Sequence, residues 1–326
     1  MLIVRTSLLR KAAALLAAAL IAPALQAQTW PDRPVRFVVP YAAGGTTDFT
    51  ARLVAQKLSE LTGTSFFVEN KAGGSSTIGT QQVVRAAPDG TTFLTNDTAY
   101  AMLPALFKQL PWDHEHDLIP VTTLVHTPVV LTVPASSPFQ TLQDLIVEAK
   151  KNPGKLNFGS GGSGSSAHLQ AVLFNRQAGL EIEHIPYKGA GEAMLALIAG
   201  HVDVLISASP TAIPQIQSGR VRALAITGEA RSPLLADVPT FAEAGQPEYT
   251  VTNWFGLSAP KGTDQAIIDA MHAQVLKALA DPGIIERLAS QGASPGGLPP
   301  AEFAKKIRAE TRVWTQAAQD AGIKPN

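Results

Sequence analysis

Residues 35–52 read VRFVVPYAAGGTTDFTAR, and this segment divides into three parts. The first, Val35–Val39, is a short β-branched apolar run, which predicts a buried strand. The second, residues 41–47, is a turn of small residues with adjacent glycines. In the third, apolar residues recur at helical spacing from Asp48 onward. This pattern predicts a helix with Asp48 in a capping position.

The glycine turn of this segment has a chemical consequence. A turn between a strand and a helix start leaves backbone N–H groups without partners, and the helix dipole adds partial positive charge there. Such a helix end binds a carboxylate or a phosphate without any cationic side chain. Residues 41–47 therefore predict an anion-binding seat.

The composition limits the function classes. A chain of 326 residues predicts two domains. Charged residues make up 16% and balance to a net charge of zero, which argues against binding to nucleic acid or to an anionic membrane surface. Cysteine is absent, which excludes disulfides, thiolate catalysis and Cys-ligated metal sites. No cofactor is expected.

Residues 1–27 predict a secretory signal peptide. Arg5, Arg10 and Lys11 form a basic start, an apolar core follows over residues 12–21, and small residues come next. The core is too short for a comfortable membrane span. We favour cleavage after Ala27, with Ala24 as the competing position. The mature protein is then exported and is not anchored to a membrane.

The rest of the chain alternates between strand and helix patterns, which predicts an α/β fold with parallel sheets covered on both faces. Strands are predicted at 35–39, 65–69, 91–95, 155–158, 181–186, 202–206 and 221–226, and helices at 78–87, 99–107, 142–151, 166–177, 192–199, 212–217, 264–280, 283–291 and 300–321.

Two further extended segments predict crossings between domains. The first is residues 121–133, a long strand pattern interrupted at residues 126–128, and the second is residues 250–259. We therefore expect a discontinuous first domain, residues 28–128 plus 252–326. Residues 129–251 form the inserted second domain.

The two halves repeat one motif. Residues 43–47, AGGTT, lie between a strand and a helix, and residues 161–165, GGSGS, occupy the same place in the second half. Two domains that each present a helix N-terminus at a strand end, with two crossings between them, would clamp a small anion in the cleft.

The second glycine turn also matches two enzyme-associated patterns. Residues 159–164, GSGGSG, fit a dinucleotide fingerprint, but the acidic partner expected at the end of the next strand is missing there. A serine hydrolase would use Ser163 or Ser165 with His168, yet a nucleophile elbow needs G-x-S-x-G and the fifth position is Ser165. We favour Ser165 as a helix cap, and His168 as either a ligand contact or a structural residue.

Three other features have competing interpretations. His114 and His116 could share a metal ion, but their neighbours favour a solvated charged loop over residues 113–117. Asp48 and Arg52 are four residues apart on the predicted helix, which favours an ion pair within it. Tyr41 and Tyr187 each follow a strand, where the ring either covers a ligand or packs in the core.

Ordered sequence motifs run along nearly the whole mature chain. They are residues 40–45, 48, 51–52, 68–74, 78–79, 87–90, 158–160, 166–169, 186–189, 200–203, 219–225, 233, 238–240 and 259–263. These motifs resemble the Bug family, the TctC-type periplasmic substrate-binding proteins of tripartite tricarboxylate transporters. The resemblance implies a type II periplasmic-binding-protein fold, with two doubly wound domains, a ligand cleft between them and no catalysis. It also implies an organic acid ligand, membrane permease subunits as partners and a monomer in the periplasm.

The resemblance also implies site residues. The first glycine turn would hold one carboxylate through Tyr41, Ala43, Gly44, Gly45 and Thr46. The second domain would close on it with Gly161, Ser163, Ser165 and His168, and neighbouring strand ends would add Thr98, Tyr187 and Ser207.

The ligand class is narrowed by one departure from the family. Residues 207–210 lack the acid that some members carry there, which disfavours amino acids and favours mono- or dicarboxylates. A receptor that feeds a signalling partner is the alternative function, and a secreted serine hydrolase is the weaker one.

Overall fold

The computed structural model describes residues 30–320, so the predicted signal peptide lies outside the described residues. The strands are β1 (Val35–Val39), β2 (Phe66–Asn70), β3 (Thr92–Asp97), β4 (Leu118–Thr127), β5 (Val129–Pro134), β6 (Asn157–Ser160), β7 (Glu183–Pro186), β8 (Val204–Ala208), β9 (Val221–Ile226), β10 (Asn253–Pro260) and β11 (Ser294–Pro295).

The helices are α1 (Thr46–Thr62), α2 (Thr77–Val84), α3 (Thr98–Leu106), α4 (Leu142–Lys151), α5 (Ser166–Ala178), α6 (Ala190–Ile198), α7 (Ser209–Gln217), α8 (Gln265–Leu279), α9 (Pro282–Ala289) and α10 (Pro300–Asp320). Within the described residues, none of these helices is long and apolar enough to cross a membrane.

The strands form two sheets, each with helices on its faces. The first has the order β11-β4-β10-β3-β1-β2 and the second the order β7-β6-β8-β5-β9. We call the first sheet with its helices the larger lobe and the second the smaller lobe. Each lobe has its own buried apolar core, with Phe37 and Phe93 in the larger and Phe158 and Phe174 in the smaller. Burial of these side chains is the main force that holds each lobe together.

The prediction of parallel sheets is confirmed for part of each sheet only. β1 pairs in parallel with β2 and β3, and β6 with β7 and β8, but β10 is antiparallel to both β3 and β4. In the smaller lobe, β5 is antiparallel to β8 and β9. The reason is the path of the chain: β4 leads out of the larger lobe and β10 returns beside it, so the two must run in opposite directions.

The crossings lie where the sequence indicated. The chain leaves the first sheet at Thr127, and β5 of the second sheet begins at Val129, because Pro128 lacks the N–H that a continuous strand needs. The return takes place before β10. These changes of sheet support the domain boundaries 28–128 plus 252–326 and 129–251, which stay a prediction.

Helix α1 begins earlier than the sequence indicated. Gly45 occupies the N-cap and Thr46 is the first helical residue, so Asp48 lies in the first turn and does not cap the helix with its own side chain. Its carboxylate accepts a hydrogen bond from Gly44 N, 3.1 Å away, and pairs with Arg52 at 3.0 Å. The predicted Asp48–Arg52 ion pair is thereby confirmed, whereas the capping role is wrong.

The two lobes touch along the glycine turns. Ala42 N donates to Lys188 O at 3.2 Å, and the hydroxyls of Thr46 and Thr211 lie 2.8 Å apart. Gly191, at the start of α6, lies directly against Gly44; a Cβ at Gly191 would meet the Gly44 carbonyl carbon at 2.9 Å. The structure is therefore a closed form, in which backbone meets backbone across the cleft.

Candidate ligand-binding cavity

Two helix N-termini, one from each lobe, face the same space. In α1 the first intrahelical hydrogen bond is donated by Phe49 N to Gly45 O, and in α5 by Leu169 N to Ser165 O. The backbone N–H groups before those bonds have no acceptor within their helix. Both dipoles thus place partial positive charge at one point between the lobes.

The space is a cavity of about 40 Å³. A buried water needs about 10–15 Å³ of such space, so the cavity admits a compact group such as a carboxylate with a few neighbouring atoms. Among the described residues, none that lines it is Lys, Arg or His. The lining residues are Tyr41, Ala42, Gly45, Thr46, Thr47, Asp48, Asp97, Gly161, Ser165, Ser166, Ala167, Gln170, Ala190, Ser207, Ala208, Thr211, Asn253 and Phe255.

Half of the predicted site residues line this cavity. They are Tyr41, Gly45, Thr46, Gly161, Ser165 and Ser207. The Ser165 side chain accepts from His168 N at 3.3 Å and is the N-cap of α5. Its predicted capping role is confirmed, and its contact with a ligand stays a prediction.

Three predicted residues lie on the outer side of the glycine turns. Ala43 and Gly44 are exposed and border a separate groove between α1, α6, α7 and α9. Ser163 is exposed at the tip of the second turn. These residues lie at the tips of the turns, whereas the helix starts that follow them line the cavity.

The other three make contacts inside a lobe. The Thr98 hydroxyl accepts from Trp254 N at 3.0 Å, and Tyr187 packs against the core beside α6. The His168 ring stacks on His184, with 3.9 Å between ring centroids, and its Nδ1 accepts from Gly164 N at 3.0 Å. Burial lowers the pKa of His168 to about 4, so the ring is neutral at pH 7. In this closed form none of the three lines the cavity. His168 instead stabilises the second glycine turn by accepting the hydrogen bond from Gly164 N.

The structure gives no support to the hydrolase interpretation. Ser160 Oγ and His184 Nε2 lie 2.6 Å apart, but Ser160 is fully buried and its hydroxyl also contacts the Gly162 backbone. Ser163 and Ser165 have no such histidine contact among the described side-chain hydrogen bonds. Ser160 is also not among the residues that line the cavity.

The two histidines of the charged loop at residues 113–117 do not lie together at one site. The His114 ring stacks on Tyr100 at 4.3 Å between centroids, whereas the exposed His116 bonds to Asp113. Within residues 30–320, no group of three or more His, Cys, Asp or Glu is placed to hold a metal ion.

Asp97 was not among the predicted site residues. It ends β3, is 5% exposed, and lines the cavity. Its carboxylate accepts from Ala99 N, from the Tyr41 hydroxyl and from the Thr47 hydroxyl, at 3.0, 3.2 and 3.2 Å. Burial raises the pKa of Asp97 to about 6 because these donors are neutral and only partly offset the lost hydration.

The raised pKa of Asp97 implies that the free energy of unfolding depends on pH. Between the ordinary pKa of 3.8 and about 6, the folded protein holds a proton on Asp97 that the unfolded chain has released. Lowering the pH from 7 to 4 should therefore stabilise wild type relative to Asp97→Asn, by up to about 3 kcal/mol. Urea unfolding of both proteins across this range measures the difference. A difference that is flat with pH would contradict the assignment.

The pKa of Asp48 is shifted in the opposite direction, below its ordinary value. Burial alone would raise the pKa of Asp48, but hydrogen bonds from Arg52, Asn70 and Gly44 N, with the charge of Arg52, lower it overall. Asp48 is therefore ionised and locally neutralised, whereas Asp97 has no cation among the described ion pairs.

Two amide side chains on the cavity wall were also missed. Gln170 on α5 is fully buried and its Nε2 donates to Asn253 Oδ1, the first residue of β10, at 2.6 Å. Helical spacing offered a signal, since Gln170 lies three and four residues after Ala167 and Ser166 and shares their face. The sequence offers no signal for Asn253 beyond its position as a polar residue at the start of an apolar strand.

Comparison with protein families agrees with this geometry. Residues 50–323 match the model of the tripartite tricarboxylate transporter family receptor, TctC. The chain belongs to this receptor family. The TctC assignment confirms the resemblance that the sequence motifs indicated.

Other TctC-type proteins resemble the chain over most of its length. The protein BugT of Bordetella pertussis is 36% identical over 321 residues, 98% of each chain. The structure of the periplasmic binding protein BugD has a TM-score of 0.87 at 33% identity, covering 91% of this chain and all of BugD. The type II periplasmic-binding-protein fold is thereby confirmed.

A further similar structure contains a ligand. The structure of R. palustris Rpa4515 with adipate has a TM-score of 0.87 at 36% identity, covering 91% of this chain and all of that one. Its ligand is a dicarboxylate.

Proposed function

We propose that this protein captures a small organic carboxylate between its two lobes in the periplasm. It does so as a monomer, without catalysis, and passes the ligand to the membrane permease subunits of a tripartite tricarboxylate-type transporter. The observation that carries the proposal is the meeting of two helix N-termini in one cavity whose described lining holds no cation. Such a site suits an anion held by backbone donors.

The proposed contacts are the backbone N–H groups of Thr46 and Thr47 on one side and of Ser166 and Ala167 on the other. The Ser165 hydroxyl adds a donor or acceptor at the second helix. Each hydrogen bond to a charged acceptor contributes about 1.5–3 kcal/mol, so three or four of them support micromolar capture. The carboxylate in Rpa4515 with adipate supports this ligand class.

A thermal-shift screen tests the proposal. The protein is heated with a panel of mono- and dicarboxylates, and each acid is paired with its neutral amide and with inorganic phosphate as controls. A ligand at 100 times its Kd should stabilise the fold by about 2.7 kcal/mol, which raises the melting temperature by several degrees. Only carboxylates should do so. If phosphate or the neutral amides shift the protein as far as any acid does, the carboxylate assignment is wrong.

Transfer to a permease is a separate claim with its own measurement. The liganded protein should bind detergent-solubilised large and small membrane subunits more tightly than the ligand-free protein does, because only closure brings both lobes into one surface. Equal binding in both states would instead favour a receptor that does not deliver its ligand.

A further inference from the structure

Beyond the two helix ends, the cavity wall around Asp97 offers hydrogen-bond acceptors. The hydroxyl protons of Tyr41 and Thr47 are both directed to Asp97, at 3.2 Å each. These hydroxyls have only lone pairs left for a ligand. The hydroxyls of Thr46 and Thr211 bond to each other across the lobes. The larger-lobe wall around Asp97 therefore suits a donor on the ligand.

In the smaller lobe, Gln170 also presents a hydrogen-bond acceptor to the cavity. Its Nε2 is used by Asn253, and its Oε1 is buried without a partner. The Ser207 hydroxyl, 2% exposed on the same cavity wall, also lacks a partner and can donate or accept. A buried amide oxygen without a partner destabilises the protein, and a donor on the ligand would supply the missing hydrogen bond.

The charges of the cavity wall also favour a hydrogen-bond donor over a second carboxylate on the ligand. Arg52 neutralises Asp48, but the partners of Asp97 are neutral groups, and at pH 7.5 its carboxylate is ionised. No cationic side chain lines the described part of the cavity to offset a second negative charge on the ligand. The two helix N-termini offset the charge of the first carboxylate, whereas a second carboxylate near Asp97 would meet repulsion without a compensating positive charge.

Resting on the proposed function, we propose that the ligand is a compact carboxylate that also carries a hydrogen-bond donor, an ammonium or a hydroxyl group, received by Asp97 and Gln170. The carboxylate lies at the two helix N-termini and the donor at these acceptors. A second carboxylate is selected against. Residues 207–210 lack an acid, which disfavoured amino acids, but β3 supplies an acid, Asp97, at the same cavity.

Matched ligands test this inference by calorimetric titration at pH 7.5. Propanoate, 3-hydroxypropanoate, 3-aminopropanoate and malonate share a three-carbon chain and differ only at the far end. Lactate and alanine place the same donors at carbon 2. We expect at least one donor-bearing acid to bind tenfold or more tightly than both propanoate and malonate, with the hydroxyl and ammonium ligands showing which donor is preferred.

Two variants test whether Asp97 and Gln170 receive the hydrogen-bond donor of the ligand. Asp97→Asn should lower the affinity ratio of the donor-bearing acid to malonate by tenfold or more, because the repulsion and the charged acceptor disappear together. Gln170→Met keeps the volume and removes the acceptor, so it should lower the ratio of the donor-bearing acid to propanoate by about threefold to tenfold. Asp269→Asn, an exposed acid on α8 outside the cavity, is the matched control and should change neither ratio.

The outcomes separate this inference from the proposed function. If malonate or propanoate binds as tightly as every donor-bearing acid, or if Asp97→Asn leaves the malonate ratio unchanged, the donor inference is overturned while carboxylate capture stands. If no carboxylate of this or the wider panel binds at all, both are overturned.

Discussion

Gly191→Val should abolish ligand capture while leaving both lobes folded. A Cβ at Gly191 would lie 2.9 Å from the carbonyl carbon and 3.0 Å from the carbonyl oxygen of Gly44. Both are backbone atoms on the opposite lobe, so no side chain can move aside to make room. The valine must therefore hold the lobes apart and prevent the two helix N-termini from meeting.

The expected loss of affinity is large because only the closed form binds with both lobes. If closure becomes a hundredfold rarer, the apparent Kd rises a hundredfold, equivalent to about 2.7 kcal/mol. Titration with the ligand found by the thermal-shift screen measures the loss. Small-angle scattering should show that the variant does not contract when ligand is added.

The fold itself should tolerate the change. Gly191 lies in the first turn of α6, and valine is no worse than glycine in a helix. Leu195→Ala, at an exposed position of the same helix, is the control and should bind ligand as wild type does. A Gly191→Val protein that binds and contracts normally would show that the closed contact is not required for capture.

Phe303→Ala should produce the largest loss of stability, about 3–5 kcal/mol. Phe303 is fully buried where α10 crosses the first sheet. Its ring meets Trp254 edge-on, with 5.0 Å between centroids, and fills the space over Gly256, where a Cβ would lie 2.5 Å from the ring. Removing the ring leaves a cavity that neither the sheet nor the glycine can fill.

Urea unfolding followed by tryptophan fluorescence measures this loss. Val313→Ala, 65% exposed on the same helix, provides the control and should change the free energy of unfolding by less than about 0.5 kcal/mol. A loss below about 1 kcal/mol for Phe303→Ala would show that α10 is not anchored through this ring.

The fold was largely predictable because its signals are local. Strand β1, the glycine turn and helix α1 follow from β-branched runs and helical spacing, and Pro128 marks the crossing between sheets. The reversed directions of β5 and β10 were not predictable in the same way. Strand direction depends on where the chain returns, and alternation of strands and helices carries no information on that.

The candidate site was predictable only in its backbone part. Gly45 and Ser165 were found because glycine and serine at helix starts have a local physical meaning. Asp97 and Gln170 were missed because their importance depends on burial and on partners such as Tyr41 and Asn253, which are far away in sequence. His168 was assigned to the cavity, but stacking on His184 from a neighbouring strand holds its ring away from it.

The proposed anion seat at the starts of α1 and α5 consists of main-chain N–H groups, and this has an evolutionary consequence. Every residue except proline carries that N–H, so replacing the side chain at Thr47 or Ser166 leaves the donor in place. Mutations at Asp97 and Gln170 can then exchange one acid for another without first losing affinity for the shared carboxylate. Paralogues of such a receptor can therefore acquire new nutrients through single substitutions, each intermediate still being a working acid receptor.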